Sequence, residues 1–242
     1  MLSEHAPGAH RFGARLAVGL GMTLVLACSA VHGETMPAVP TTAVAGVDFG
    51  DESASTQVRH VANWVLTSGD NHRLPYLIVD KVNARVFVFD AHGRLQGDAA
   101  ALLGMAKGDR SVDGIGGRAM SAIRPADRIT PAGRFVVSLD RDIHRKEVLV
   151  IDYAASISLH PVVKGTPSER RAQRLQSATS ADNRISFGCI NVPATFYTTV
   201  VSPAFTHSNG IAYILPETTK ANEISGLYDV DAAKQDRTLP QL

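Results

Sequence analysis

The chain has 242 residues, of which 45% are hydrophobic and 19% charged, and its formal net charge is +1. This length and apolar content exclude an intrinsically disordered chain and allow one sizeable domain with an additional N-terminal segment. The balanced charge and scattered basic residues provide no electrostatic footprint for nucleic acid, so we expect no nucleic-acid partner.

The first 33 residues have the order of a secretory signal peptide. Arg11 and Arg15 precede an apolar run over 16–27, and small residues follow that run. The run is shorter than the roughly 20 apolar residues of a transmembrane helix, so we expect no stable membrane span after cleavage. We therefore predict that residues 1–33 are removed on export to the periplasm or cell envelope. A second interpretation is a lipoprotein that is lipidated at Cys28.

The main domain is predicted to begin after a linker. Residues 34–53 are rich in Pro, Ala, Thr and Gly and lack periodicity, which is typical of a linker. The next segment, to residue 68, has apolar residues at helical spacing around Trp64, which predicts an amphipathic helix with Trp64 as its packing anchor. With this helix, the main domain is predicted to span 54–220, and 221–242 to form a polar tail.

The remaining sequence has the pattern of a β-rich protein. Short apolar, β-branched or aromatic runs predict strands at 76–80, 85–90, 102–106, 135–139, 147–153, 157–160 and 210–216. Dense glycines predict a loop over 108–119, and helical potential is confined to 169–175 and 193–200. We therefore predict a mostly-β sandwich or barrel with a few short helices and the N-terminal helix.

Cys189 is the only thiol expected to remain in the exported domain, because Cys28 lies in the leader segment. An unpaired Cys in an oxidising compartment indicates a reactive thiol. A thiol is a useful nucleophile as its thiolate and needs a base within hydrogen-bond reach. His160 is the best candidate, because it ends an apolar strand and its ring is thereby expected at the rim of the sheet. The alternative for His160 is a solvated residue at a strand end.

Small and polar residues beside Cys189 are suited to the same site. Gly188 permits a sharp turn that lets the thiol protrude and directs backbone N–H groups toward a developing oxyanion. Ser186 and Asn191 can support that turn through side-chain hydrogen bonds. Together with Arg184, which begins the same run, these three residues form the predicted oxyanion or substrate-binding set. The alternative is an ordinary turn that carries an inert Cys.

The sequence predicts neither a metal nor a cofactor. No set of His, Cys or carboxylate residues has the spacing of metal ligands. The glycines at 114–117 lack the Lys and Ser/Thr of a phosphate-binding loop. For the assembly, we expect a monomer.

Three segments, taken in order, resemble the YkuD-type L,D-transpeptidases. Residues 186–191, Ser-Phe-Gly-Cys-Ile-Asn, are similar to that family's signature Ser/Thr-His-Gly-Cys-hydrophobic-Asn, which follows an upstream His. Residues 130–135, Thr-Pro-Ala-Gly-Arg-Phe, are similar to its Thr-Pro-x-Gly-x-Phe/Tyr segment, and 76–90 resemble its opening hairpin. The resemblance covers roughly residues 76–215 and implies a YkuD-like β fold.

The resemblance also implies an acyl transfer in the bacterial cell wall. In such enzymes the Cys cleaves the L,D-amide of a peptidoglycan stem tetrapeptide, releases D-Ala and forms a thioester that an amine resolves. It assigns Cys189 as nucleophile, His160 as base and later acid, and the Pro161 carbonyl as the group that orients the ring. The implied partner is a peptidoglycan stem peptide, and the implied role is wall crosslinking or remodelling, with an effect on cell shape.

Two departures from the family pattern leave the acyl acceptor open. Phe187 stands where the family usually has a His that supports the site. The spacer after His160 is longer than usual, and its residues 164–182 are suited to a lid or helical insertion. An L,D-carboxypeptidase or amidase that uses water as acceptor is therefore an alternative. A non-catalytic peptidoglycan-binding relative and a sortase-like Cys transpeptidase are others, disfavoured by the retained Cys189 and His160 and by the order of the motif.

Overall fold

The computed structural model describes residues 46–220 and Glu223. The predicted signal peptide at 1–33, the alternative lipidation site Cys28 and, apart from Glu223, the predicted polar tail at 221–242 lie outside these residues. Within them, the prediction of a mostly-β fold with a few short helices and an N-terminal helix is confirmed.

Ten short strands form the framework of this part of the chain. They are β1 Tyr76–Asp80, β2 Arg85–Phe89, β3 Leu95–Ala100, β4 Leu103–Gly104, β5 Gly133–Arg141, β6 Glu147–Asp152, β7 Ile157–Pro161, β8 Arg184–Ser186, β9 Ile190–Val192 and β10 Gly210–Ile214.

The helices are fewer and lie mostly on the surface of this framework. The α-helical segments are α1 Thr56–Ser68, α2 Arg171–Leu175, α3 Ala194–Phe196 and α4 Ser202–Phe205. A π-helical turn, Tyr197–Val201, joins α3 to α4. Single 3₁₀ turns lie at Ile115–Gly117, Met120–Ala122, Pro125–Asp127, Pro167–Glu169 and Ser180–Asn183.

Eight strands form one sheet in the order β3-β2-β1-β10-β5-β6-β7-β9, and β4 pairs separately with β8. Within the sheet, β1 runs parallel to β10 and β7 parallel to β9, while the other neighbours are antiparallel. An antiparallel bridge joins Leu102, which follows β3, to Asn191 in β9. Because this bridge brings the two edges of the sheet together, the sheet is nearly closed and resembles a barrel.

Both faces of the central strands are buried, which explains their nearly continuous apolar sequences. On one face, Leu77 and Val79 of β1 pack with Val201 from the C-terminal helical segment. On the other face, Tyr76 and Ile78 of the same strand belong to a second apolar cluster beneath α1. Successive side chains of a strand point to opposite faces, so one short strand stabilises both layers.

Helix α1 has defined ends and a defined docking contact. The hydroxyl of Ser55 caps its first turn and also donates a hydrogen bond to Asp80 Oδ2 at 2.7 Å. Gly69, with a φ of 70°, ends the helix in the left-handed conformation. The ring of Trp64 packs edge-on against Tyr213 of β10, with 6.1 Å between centroids, so Trp64 is a packing anchor as predicted.

The predicted linker at 34–53 ends in residues that pack against the domain. Phe49 is 2% exposed, and its ring lies edge-on to Phe87 and Phe89 at centroid distances of 6.1 and 5.8 Å. The guanidinium of Arg59 covers the same ring at 4.6 Å. The folded domain therefore starts earlier than predicted and includes Phe49.

Three strands depart from the sequence prediction. The strand predicted at 102–106 is wrong in its placement, since the structure has β3 at Leu95–Ala100 and only the two-residue β4 beyond it. The three-residue strands β8 and β9 are absent from the prediction, because so few residues cannot show an alternating pattern. These two strands flank the turn that carries Cys189, so the missed elements are those that build the site.

Candidate active site

Cys189 and His160 are brought together by the parallel pairing of β7 with β9. In this register His160 lies opposite Asn191, and Cys189 immediately precedes β9. Neighbouring strands hold opposed side chains about 5 Å apart, so the pairing places the imidazole beside the turn that carries the thiol. Two residues that are far apart in sequence thereby share one end of the sheet.

The turn before Cys189 requires a glycine. Gly188 has a φ of 131°, which side chains rarely adopt. A Cβ atom at this position would lie 2.7 Å from the carbonyl oxygen of Ile129 and 2.7 Å from Cδ1 of Ile157. The predicted need for Gly188 at a sharp turn is therefore met by both conformation and space.

Two buried hydroxyls hold this turn. Ser186 Oγ accepts the Gly188 N–H at 3.1 Å and donates to the Cys189 carbonyl at 2.6 Å, in agreement with its predicted supporting role. Thr130 Oγ1 donates to the Gly188 carbonyl at 2.7 Å and accepts the Gly104 N–H at 2.9 Å. The sequence reasoning did not single out Thr130, although it begins the segment at 130–135 that carried the family resemblance.

The hydrogen bond of Gly188 changes its predicted role. Its N–H points to Ser186 Oγ and is therefore engaged in holding the turn instead of facing a substrate oxyanion. The backbone N–H of Cys189 itself remains the candidate oxyanion donor. Gly188 thus contributes the shape of the turn.

The imidazole of His160 is oriented by the next residue in the chain. Its Nδ1 lies 2.8 Å from the carbonyl oxygen of Pro161. Because a carbonyl can only accept a hydrogen bond, Nδ1 carries the proton and Nε2 is directed toward the site. The structure thus places Pro161 in the contact that the resemblance implied.

The thiol of Cys189 is partly buried among polar groups. Its Sγ atom lies 3.6 Å from the carbonyl oxygen of Ser156 and 3.7 Å from Oγ of Ser158, both in or next to β7. Cys189 forms no disulfide in the structure. The Ser158 hydroxyl can donate to a thiolate, whereas the Ser156 carbonyl can only accept the proton of the neutral thiol.

The pKa values of Cys189 and His160 shift in opposite directions. Burial opposes ionisation of the thiol, but the hydrogen bond and positive charge of His160 outweigh it and lower the pKa of Cys189. Burial likewise opposes the imidazolium, but the hydrogen bond and negative charge of Cys189 raise the pKa of His160. Together the two directions favour a thiolate–imidazolium pair, which is the reactive form of a cysteine nucleophile.

The side chain of Asn191 lies beside the catalytic pair. Its Nδ2 is 3.4 Å from His160 Nε2 and 3.3 Å from the Cys189 carbonyl oxygen. Its Oδ1 accepts a hydrogen bond from Arg171 Nη1 at 2.8 Å. The structure thus places Asn191, a residue of the predicted set, next to His160 and Cys189, and Arg171 is a neighbour that no sequence pattern indicated.

The guanidinium of Arg184, which is predicted to belong to the substrate-binding set, is engaged in an ion pair. Its guanidinium forms a two-pronged ion pair with Glu217, with N–O distances of 3.0 and 2.5 Å, and also donates to the Lys81 carbonyl. The side chains of Arg184 and Glu217 are 9% and 3% exposed. Arg184 therefore stabilises the fold behind the site.

Lys81 belongs to the same buried ion cluster. Its side chain is fully buried, and Nζ donates to Asp109 Oδ1 at 2.7 Å, to the Gly108 carbonyl at 2.6 Å and to the Thr130 carbonyl at 2.9 Å. Burial lowers the pKa of Lys81, while its ammonium lowers that of Asp109 against the effect of burial. Because Thr130 also holds Gly188, the cluster connects the interior to the catalytic turn.

Phe187, at the position where the family usually has a His, makes a packing contact. The guanidinium of Arg128 lies 3.8 Å from the centre of its ring. At this distance the positive charge interacts favourably with the face of the ring. The position is therefore filled by a stacked pair and supplies no titratable group to the thiol.

A groove of about 350 Å³ opens beside His160. Its lining includes Ser158 and His160 of β7, the hairpin between β5 and β6, and the first residues after β7. The groove contains both signs of charge, contributed by Asp142, Lys146, Glu147 and Lys164. A peptide that carries both amino and carboxylate groups would find complementary charges here.

Neither a metal cluster nor a membrane helix is found in the residues that the structure describes. Over 46–220, no group of three or more His, Cys, Asp and Glu residues is placed to hold a metal ion. In the same part of the chain, no helix is long and apolar enough to span a bilayer.

The fold and the site together define a mostly-β domain with a cysteine–histidine pair at one end of a nearly closed sheet. No family model and no curated protein matches the chain. Solved structures are similar to part of it. The helical cell shape determining protein Pgp2 from Campylobacter jejuni aligns over 65% of this chain and 55% of its own, with 11% identity and a TM-score of 0.40.

Two further structures give similar or lower values. A point variant of Pgp2 has the same identity, coverage and TM-score. The catalytic domain from the E. faecium L,D-transpeptidase, solved by NMR, aligns over 58% of this chain and 95% of its own, with 16% identity and a TM-score of 0.30. The chain thus spans about half the length of Pgp2, and function has to be inferred from the site itself.

Proposed function

We propose that this protein is an exported cysteine acyltransferase of the L,D-transpeptidase type, which acts on peptidoglycan stem peptides. The observation that carries the proposal is the register of β7 with β9, which brings His160, whose ring is oriented by the Pro161 carbonyl, beside the turn that carries Cys189. The sequence resemblance over 76–215 supports the same assignment. An inert cysteine would need neither a glycine-dependent turn nor an oriented base.

In the proposed reaction the Cys189 thiolate attacks the carbonyl carbon of the L,D-amide. The negative charge that develops on the carbonyl oxygen is stabilised by the backbone N–H of Cys189. The His160 imidazolium donates its Nε2 proton to the departing amine of D-Ala, and a thioester remains. An incoming amine then loses its proton to His160 as it attacks the thioester, which releases the thiolate and returns the imidazolium.

The same site can transfer the acyl group to water. The acceptor is decided by which nucleophile the groove holds against the thioester. The mixed charges of the groove, from Lys146 and Glu147 among others, suit a second stem peptide with free amino and carboxylate groups. We therefore favour an amine acceptor, with the hydrolytic L,D-carboxypeptidase as the competing outcome.

The deciding experiment is incubation of the purified protein with tetrapeptide muropeptides, followed by mass spectrometry of the products. We expect crosslinked dimers together with released D-Ala. Tripeptides without dimers would replace the transferase by the hydrolase. Unchanged material, with measurable binding, would indicate a non-catalytic peptidoglycan-binding protein and would remove the enzymatic proposal. The matched controls are Cys189→Ala, which should abolish turnover, and Cys189→Ser, which keeps a small polar side chain.

A covalent probe tests the nucleophile independently of the acceptor. Carbapenems acylate the thiol of enzymes that this chain resembles, so intact-mass measurement should show one adduct. We expect the adduct on the natural chain and none on Cys189→Ala. An adduct that persists in Cys189→Ala would place the reactive group elsewhere.

A further inference from the structure

The long connection between β7 and β8, residues 162–183, is folded onto the domain. Arg174 donates to the Asp182 carbonyl at 2.6 Å and to the Glu169 carbonyl at 2.8 Å, which closes the segment on itself. Asn183 is buried and donates to the Ala101 carbonyl at 2.9 Å. The segment is thus anchored on both sides of α2, the helix that begins at Arg171.

Arg171 is the residue of this segment that reaches the site. Its side chain is 10% exposed, its Nε donates to Glu169 Oε2 at 2.7 Å and its Nη1 donates to Asn191 Oδ1 at 2.8 Å. Gly165, with a φ of 59°, leaves the space for this arrangement, because a Cβ there would collide with Glu169 Oε2 and Arg171 Nε. The local sequence is therefore built around the Arg171 guanidinium.

The contact with Arg171 fixes which way the Asn191 amide points. A guanidinium can only donate, so Oδ1 must face Arg171 and the NH₂ group must face the opposite way. On that side lie the Cys189 carbonyl, which only accepts, and His160 Nε2. The backbone of Asn191 is also held, by two hydrogen bonds of 2.9 and 2.8 Å to Leu102.

This orientation affects how the proton on His160 Nε2 is shared. If the amide were reversed, Oδ1 would face Nε2 and would accept the imidazolium proton in competition with the Cys189 thiolate. With Oδ1 held by Arg171, the NH₂ group faces Nε2, where it can donate to the unprotonated nitrogen of the neutral ring but offers no acceptor for the imidazolium proton. The sulfur then remains the acceptor for that proton.

We infer that Arg171 is a positioning residue, which locks the Asn191 amide so that the His160 proton is directed to Cys189. The inference deepens the proposed function, on which its catalytic meaning rests. It assigns the 162–183 segment a part in thiol activation, beyond covering the groove. Docking of this segment and reactivity of the thiol are then coupled through one side chain.

The other charged groups near His160 lie in the groove and on the same segment. They are Asp142, Lys146, Glu147 and Lys164, which line the groove, and Glu169, which pairs with Arg171. Burial lowers the pKa of His160, the hydrogen bond and charge of Cys189 raise it, and the positive charge of Arg171 opposes protonation. Loss of the Arg171 charge alone would therefore move the alkylation profile to lower pH, opposite to the shift expected from release of the Asn191 amide. Unlike these other charged groups, Arg171 also contacts Asn191.

The test is the pH dependence of Cys189 alkylation by iodoacetamide, in which the thiolate forms a bond to carbon and iodide leaves. In Arg171→Met we expect the rise of the rate with pH to move to higher pH. At a pH of about 6 the rate should fall by roughly tenfold or more, the effect of one charge-assisted hydrogen bond, while the limiting rate at high pH stays unchanged. Arg171→Lys should recover most of the rate.

Two comparisons separate positioning from a merely structural effect. Arg170→Met removes the same charge from the neighbouring exposed residue and should leave the profile in place. In Asn191→Ala the competing oxygen is absent, so adding Arg171→Met should shift the profile little further. If Arg171→Met only released residues 162–183 from the domain, the limiting rate of Cys189 alkylation would rise and its pH dependence would stay in place.

Three results would overturn the inference: an unmoved profile in Arg171→Met, an equal shift in Arg170→Met, or full additivity in the double variant. Circular dichroism and thermal unfolding of each variant show whether it is folded. Alkylation of Cys189 needs no peptidoglycan, so its result is independent of the muropeptide assay. If Arg171→Met shifts the alkylation profile as expected but the protein does not process muropeptides, only the proposed function is removed.

Discussion

Replacement of the buried Lys81 by methionine tests how the interior supports the site. Methionine has a similar length and no charge, so Lys81→Met removes one partner of a fully buried ion pair and three hydrogen bonds. Breaking such a pair costs about 3–5 kcal/mol, because the remaining charge stays buried. Asp109 keeps five other hydrogen bonds, from Glu217, Thr218 and Thr219, which moderate the loss. We therefore expect destabilisation of about 3 kcal/mol.

The chain offers a convenient probe for this measurement, since Trp64 is its single tryptophan and packs in the core. Urea unfolding followed by its fluorescence should show the loss, with a fall in Tm of about 6–12 °C for a domain of this size. The exposed Lys107→Met is the matched control and should change stability little. Lys81→Met with Asp109→Asn should recover part of the loss, because no unpaired charge remains and the amide oxygen can still accept hydrogen bonds from residues 217–219. A loss below about 1 kcal/mol for Lys81→Met would refute the reasoning.

Three further changes test the site directly. Gly188→Ala should cost about 2–3 kcal/mol by urea unfolding and suppress turnover, because its Cβ would strain the turn; a stable and active variant would contradict that turn geometry. Thr130→Val leaves two buried backbone groups without a partner and should cost about 2–4 kcal/mol, whereas Thr130→Ser should be nearly neutral. In His160→Asn burial dominates, so the pKa of Cys189 rises and its alkylation near neutral pH slows; an unchanged pH profile would exclude His160 as the base.

Much of the fold could be predicted because both faces of the central strands are buried. Runs such as 76–80 and 210–216 are largely apolar, so they can be recognised as strands from the local sequence alone, without knowledge of their neighbours. The edge strand β3 was missed because its residues are small or polar and only Ala99 is buried. Its position depends on pairing with β2 and on the helical segment that covers it, and the local sequence of β3 reveals neither partner.

The catalytic pair could be predicted from residue type, whereas its support could not. A cysteine after glycine and a histidine at a strand end are local features of Cys189 and His160. Lys81 and Asp109 are 28 residues apart and meet only when loops on opposite sides of the sheet converge. Arg184 also shows what the sequence does not reveal, since its ion pair with Glu217 joins residues that are far apart in the chain.

The substitution of Phe187 for the family histidine gains a physical explanation from the groups that surround the thiol. A second histidine could offer the sulfur a polar contact, but here Oγ of Ser158 already lies 3.7 Å from Sγ. The side chain at 187 is instead stacked with Arg128, so its energetic contribution comes from packing and a cation–π contact. The polar neighbours of the site thus lie on its β7 side, where Ser158 contacts the thiol and the Asn191–Arg171 pair adjoins His160. The 162–183 segment contributes to this side, because it supplies the guanidinium that holds the Asn191 amide.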